Sequence, residues 1–174
     1  TINYFKNLKK KYGKDYPRLT ELTNFESIEA TRVVNNNAKL YANKEEGFVG
    51  TGLKKEDNAE FICDCSDLSE IIVIHKDGKY VVTKVSEKAF FGKDILYVGL
   101  FDRNDQRTIY NVIYREGKTA LSYAKRFAVT SVTRDKEYDI TTGTPGSQIL
   151  WFTVNHNGEA ETVKIYFRQR AKLK

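Results

Sequence analysis

The strongest constraint on the fold of this chain is a strand–turn–strand unit that recurs along it. The segment IIVIHKDGKY at 71–80 is matched by YNVIYREGKT at 110–119 and WFTVNHNGEA at 151–160, with a weaker copy, LYANKEEGFV, at 40–49. Each is an apolar run, a polar tip ending in glycine, and a second run. Asp77-Gly78 and Asn157-Gly158 are two-residue hairpin signals, because such turns need positive φ. The turn glycines at 47, 78, 117 and 158 are spaced by 31, 39 and 41 residues. Recurrence near forty residues predicts an array of small β units of the kind that builds propeller blades.

The residues between the turns agree. With 10 Phe, 11 Tyr and only 2 Pro in 174 residues, the chain favours strands. The runs predict strands at 28–34, 39–42, 71–75, 79–85, 95–101, 108–114, 121–129, 149–154 and 161–167. Within 79–85 the faces alternate, Tyr80, Val82 and Lys84 against Val81, Thr83 and Val85. The start of the chain differs. Ile2, Phe5, Leu8 and Tyr12 recur at helical spacing with lysines between them, and Gly13 ends the pattern. Residues 14–23, with Pro17, read as a connector. The expected organisation is therefore a helix and connector over 1–23, then a mainly β domain over 24–174 with three or four units. The chain starts at Thr1 and contains no Met, which reads as a piece of a longer protein.

Charge is distributed unevenly. The net +6 combines six basic and one acidic residue over 1–20, five and eleven over 21–75, and eighteen and eleven over 76–174. In the last part the cations follow the turns: Lys84 and Lys88 lie six and ten residues after Gly78, Lys164 and Arg168 six and ten after Gly158, and Lys125 and Arg126 eight and nine after Gly117. Two readings fit. Lysines on edge strands keep sheets from aggregating, and a belt of positive charge tracks a phosphate backbone.

Other constellations are weak. Cys63, Cys65 and His75 match no common zinc spacing, and the adjacent cysteines read as reduced thiols. Gly47–Gly52 lacks the helix that a dinucleotide fingerprint requires and reads as a turn or bulge; the stretch 143–147 reads as a loop. His75 and His156 both sit at hairpin tips, and no nucleophile, base and acid are grouped in the sequence. Tyr97, Phe101, Tyr110, Tyr114, Trp151, Phe152 and Phe167 alternate within strands as packing residues do. No run is long enough to span a membrane, and the Lys-rich start is not a signal peptide.

Two longer segments carry a resemblance. FKNLKKKYGKDYPRLTEL at 5–22 resembles the exit from the catalytic core of a bacterial type IIA topoisomerase A subunit, and GKTALSYAKRFAVTSVTRDKEYDI at 117–140 resembles the C-terminal domain of topoisomerase IV A subunits in a Bacteroides-like group. The resemblance implies a β-pinwheel, a propeller variant, that binds and bends double-stranded DNA through cations on its rim. Carried onto this chain, those cations are Lys79, Lys84, Lys88, Lys118, Lys125, Arg126, Arg134, Lys136, Lys164 and Arg168. The gyrase box QRRGGKG is absent, which implies relaxation and decatenation rather than full wrapping. No Arg-Tyr pair of the cleaving site is present. The resemblance thus implies a cytoplasmic, nucleoid-associated, non-catalytic module with no cofactor of its own. ATP, magnesium and strand passage would belong to the catalytic core and the B subunit. A pinwheel of this family usually has more units than are visible here. A propeller-like scaffold that docks on protein is the alternative, motivated by the acidic stretch over 21–75.

Overall fold

The computed structural model describes residues 2–16, 37–54 and 58–166. The chain divides into two compact units, 1–33 and 34–174. In the first, α1 spans Ile2–Tyr12, as the spacing predicts, and the Gly13 N–H closes on the Lys9 carbonyl at 2.9 Å. All of its residues except Leu8 are exposed, and none is buried.

Among the described residues of the second unit the regular elements are all strands. Its strands are β1 (Ala38–Asn43), β2 (Phe48–Gly50), β3 (Glu60–Cys65), β4 (Glu70–His75), β5 (Lys79–Lys84), β6 (Ala89–Phe90), β7 (Ile95–Phe101), β8 (Ile109–Arg115), β9 (Ser122–Phe127), β10 (Glu137–Asp139) and β11 (Gln148–Asn155). They form three antiparallel sheets, ordered β3-β1-β2-β6, β10-β5-β4-β7 and β11-β8-β9. These sheets do not close into a ring among the described residues. Each is built on a hairpin whose first strand also pairs with the strand that ends the unit: β3 on β1, β7 on β4, β11 on β8.

The sheets are knitted by exchange. β6 follows β5 in the chain yet pairs with β2 in the first sheet, with Phe90 opposite Phe48. β10 follows β9 yet pairs with β5 in the second sheet, with Tyr138 opposite Tyr80. Each is a guest strand that one unit supplies to the sheet before it.

The central strand β4 of the middle sheet is buried on both faces, and its sequence shows why. β4 is an unbroken apolar run, and Ile71 to Ile74 are all at most 2% exposed. Ile71 and Val73 pack with Leu40, Ala42, Val49 and Cys65 of the first sheet. Ile72 and Ile74, on the other face, pack with Tyr110, Val112, Tyr114 and Ile149 of the third. A strand with one wet face alternates polar and apolar residues; a strand covered twice cannot. Each of these side chains contributes about 1.5–3 kcal/mol on burial.

The turns hold two surprises. Gly78 has φ +95° and its N–H meets the His75 carbonyl at 3.0 Å, as a tight hairpin requires. Gly117 does not play that part. The positive φ of the β8–β9 turn belongs to Ala120, at +57°, and Gly117 is small because a Cβ there would strike the Pro145 carbonyl and the Gly146 backbone. Gly158 repeats the local turn of Gly78, with φ +69° and its N–H 3.2 Å from the Asn155 carbonyl, but it links β11 to residues 159–166, which join no sheet. The strand expected at 161–167 is therefore not formed over 161–166.

Seven predicted strands are present with ends shifted by at most two residues. The strand expected over 28–34 lies outside the described residues. β3, β6 and β10 are not among the predicted runs, whereas β2 is the second run of the 40–49 copy. Phe48–Gly50, read as part of a turn or bulge, is a host strand. No helix among the described residues is long and apolar enough to cross a membrane.

Candidate nucleic-acid interface

Nine of the ten cations singled out from the sequence lie on described residues; Arg168 does not. They fall into two groups, set by what lies within reach.

The first group is engaged within the molecule. Lys79, at the start of β5, meets Glu137 of guest strand β10 at 2.6 Å, and this hydrogen bond raises its pKa above the ordinary lysine value. Arg134 pairs with Glu70, with its Nε 2.7 Å from Oε1. Arg103, which sequence reasoning passed over, grips the same carboxylate with Nε at 2.7 Å and Nη2 at 3.2 Å, while its Nη1 donates to the Val132 carbonyl at 2.7 Å. The Glu70 side chain is 11% exposed. Burial opposes its charge, yet hydrogen bonds from Arg103 and Arg134 prevail and hold its carboxyl below the usual glutamate range. Lys125, on β9, donates to the Ile140 carbonyl at 3.0 Å. Arg126, beside it, donates to the carbonyls of Gly158 and Glu159 at 2.8 and 3.1 Å.

The second group is exposed and makes no ion pair among the described residues: Lys84, Lys88, Lys118, Lys136 and Lys164. Two of these occupy matching places. Lys88 stands two residues before Phe90 of guest strand β6, with its ammonium 4.6 Å from the centre of the Phe48 ring. Lys136 stands two residues before Tyr138 of guest strand β10, with its ammonium 5.3 Å from that ring. In both sheets the guest's aromatic residue packs on the host's: Phe90 on Phe48 at 5.1 Å, Tyr138 on Tyr80 at 5.5 Å. An ammonium over a ring face is held by the ring's quadrupole but keeps its charge open to water or an anion. The signal was the Lys-x-Phe and Lys-x-Tyr spacing at 88–90 and 136–138. The same form recurs on β9, where the Lys125 ammonium lies 5.1 Å from the centre of the Phe127 ring. Lys164 shares the form, over Tyr166 at 5.2 Å, but in a stretch that joins no sheet.

Catalytic chemistry finds little purchase. Among the described residues no three His, Cys, Asp or Glu side chains gather as a metal site. Cys63 and Cys65 are free thiols on β3. Burial, then the neighbouring Cys65 and Asp64, pushes the Cys63 thiol up to about 11. Thr108 lies between His156 (3.3 Å) and Asp105 (2.5 Å), yet its hydroxyl donates to Asp105, which also accepts the Arg107 N–H at 2.8 Å. That arrangement closes the β7–β8 link and leaves no activated nucleophile. Tyr110 and Tyr114 are buried, and Tyr97 and Tyr110 pack on Phe152 at 5.4 and 6.1 Å, so these rings are core rather than stacking platforms for bases.

The candidate site is therefore a set of exposed lysines on the β framework of the described residues. An array of separate ammonium groups meets separate phosphates; it reads no base edge. The family described as topoisomerase C-terminal domain, Bacteroidota, matches residues 39–174. The A subunit of DNA topoisomerase 4 from Borreliella burgdorferi is 30% identical over 140 residues, covering 80% of this chain and 22% of that protein. The chain thus spans about a fifth of the length of that curated relative. No solved structure matches.

Proposed function

Because the chain belongs to the topoisomerase C-terminal domain family of Bacteroidota, we propose that it is the DNA-binding and DNA-bending module of a type IIA, topoisomerase IV-like A subunit. Its three sheets are read as consecutive blades of a β-pinwheel, each tied to the one before by a guest strand. The module holds duplex DNA by phosphate contacts and helps the assembly choose DNA geometry for relaxation and decatenation. Cleavage and strand passage, with their ATP and magnesium, are assigned to the catalytic core and the B subunit.

The observation that carries this reading is the second group of cations. Lys84, Lys88, Lys118, Lys136 and Lys164 have no carboxylate within ion-pair distance among the described residues, so their charge is available to an outside anion. If each displaces one counterion, the slope of log K against log salt is about −4.5, and affinity falls about 500-fold between 50 and 200 mM salt. Bending a site of 20–30 base pairs costs on the order of 1–6 kcal/mol, which contacts spread along an arc offset.

The test is fluorescence anisotropy with a labelled 30-base-pair duplex, titrated at several salt concentrations and with two unrelated sequences. Tight low-salt binding, a steep slope and indifference to sequence are expected. Absence of binding at low salt, or binding unaffected when all five lysines are changed to Glu, would overturn the reading and favour a protein-docking scaffold.

A further inference from the structure

Among the described residues of the second unit, Lys88, Lys125, Lys136 and Lys164 each hold an ammonium between 4.6 and 5.3 Å from the centre of an aromatic ring. One such contact in about 70–80 residues is typical. The pairing is thus a repeated feature of this unit rather than an accident of one loop.

Two of the four stand apart. Lys125 also donates to the Ile140 carbonyl at 3.0 Å, and Lys164 lies in a stretch that joins no sheet. Lys88 and Lys136 have the ring and no ion pair among the described residues. Their rings are themselves fixed. Phe48 packs across the host–guest boundary on Phe90 at 5.1 Å. Tyr138 stacks on Tyr80 at 5.5 Å with 23° between the planes, and its hydroxyl accepts the Thr133 N–H at 2.9 Å. A ring locked by a neighbouring ring and by strand pairing is a stationary seat for the ammonium above it.

Such a seat matters for binding. A lysine side chain loses rotamer freedom when it meets an anion, and that loss weakens affinity. An ammonium already resting on a ring has given up much of this freedom beforehand. Its charge is not cancelled, because the ring attracts it through a quadrupole and carries no net charge. A phosphate approaching from the open side therefore meets a full charge at a set place. Lys84 and Lys118 carry the same charge but lie over no ring among the described residues.

We propose that Phe48 and Tyr138 are positioning residues for duplex DNA, each seating one lysine, Lys88 or Lys136, so that phosphates meet charges ordered in advance. The inference rests on the DNA-binding reading above and adds to it two aromatic residues that act on affinity without contributing charge.

Two measurements on the whole chain test it. The first needs no DNA. In proton–carbon correlation spectra, a ring current moves the ε-methylene protons of a lysine above it upfield. Those of Lys88 and Lys136 are expected upfield of Lys84, and Phe48→Leu is expected to return Lys88 alone to the Lys84 position. The second is the salt-titrated anisotropy assay with duplex DNA. Phe48→Leu is expected to weaken binding about two- to tenfold, with the salt slope unchanged because no charge is lost. A trifluorinated phenylalanine at position 48 nearly keeps the ring's shape but removes the negative potential of its face, and the same loss is expected from it. This covers the case in which leucine disturbs the sheet. With Lys88→Ala already in place, Phe48→Leu is expected to have no further effect on affinity. Tyr138→Leu is expected to show the same coupling to Lys136→Ala.

Three results would overturn the proposal: Lys88 protons that are not shifted, full duplex affinity in both the leucine and the fluorinated variant, or an equal loss from Phe48→Leu when Lys88 is already alanine. The failures are distinguishable. If the unaltered chain binds no duplex at low salt, the DNA-binding reading falls and takes this one with it. If it binds and the position-48 variants bind equally well, the positioning role alone falls.

Discussion

The Glu70 carboxylate fastens three parts of the chain together, and its removal gives a prediction whose size follows from the geometry. Glu70 opens β4. Arg103 comes from the β7–β8 link and Arg134 from the stretch before guest strand β10. In Glu70→Gln the amide keeps the shape but loses the charge, so two guanidinium groups face a neutral oxygen. Hydrogen bonds to charged groups contribute about 1.5–3 kcal/mol, and exposed ion pairs about 0.2–1 kcal/mol. Both arginine side chains are 43% exposed and rehydrate when released, which trims the loss. About 2 kcal/mol is expected. For a β unit of this size that corresponds to about 6–8 °C in Tm, measured by calorimetry at pH 7. The pH dependence supplies a sharper check. A carboxyl held below its ordinary pKa stabilises the fold fully above the unfolded value, and that stability is lost as pH falls through the folded value. The gap between wild type and Glu70→Gln should be constant from pH 7 to about 5 and close below that. A Tm within about 1 °C of wild type, or a gap unchanged at pH 3, refutes the reasoning.

Three further outcomes are expected. Lys136→Ala should lower the salt slope of duplex binding by about 0.9, while Arg134→Ala should leave the slope alone and lower Tm; equal slope changes would dissolve the division between free and engaged cations. Gly117→Ala, which sets a methyl against the Pro145 carbonyl, should cost about 1–3 kcal/mol in urea unfolding; an unchanged midpoint would show that the 143–146 loop yields freely. With its pKa near 11, Cys63 is thiolate in only about one molecule per thousand at pH 8, so iodoacetamide should label it slowly and roughly tenfold faster at pH 9. Labelling at the rate of a free cysteine at pH 8 contradicts that environment.

Much of the β framework was legible because it is local. The hairpin at Gly78 is written in an Asp-Gly pair, and helix α1 in the spacing of Ile2, Phe5, Leu8 and Tyr12. The turn at Asn157-Gly158 forms as its chemistry predicts, but no strand returns beside β11 among the described residues, because pairing depends on partners that the local sequence does not specify. Of the site, the sequence offered ten cations without distinguishing among them. It could not separate Lys79 from Lys84, five residues apart on one strand, because the carboxylate that claims Lys79 is 58 residues away in a guest strand. Arg134 is likewise separated from Glu70 by 64 residues.

What the sequence determined by itself is set by short-range periodicity. The run Ile71–Ile74 has no polar break, so β4 had to be covered on both faces, and a mainly β fold of stacked units follows from that and from the spacing of the turns. What tertiary structure decided is the exchange between sheets. β6 is two residues long and β10 three, too short to have any strand preference of their own, and each exists because a host edge and a host ring, Phe48 or Tyr80, wait for it. The same exchange brings Glu137 to Lys79 and Arg134 to Glu70, and leaves β9 as the one host edge among the described residues without a guest. Pairing energy between distant segments is not encoded in either segment alone, and it is this energy that sorts the charges.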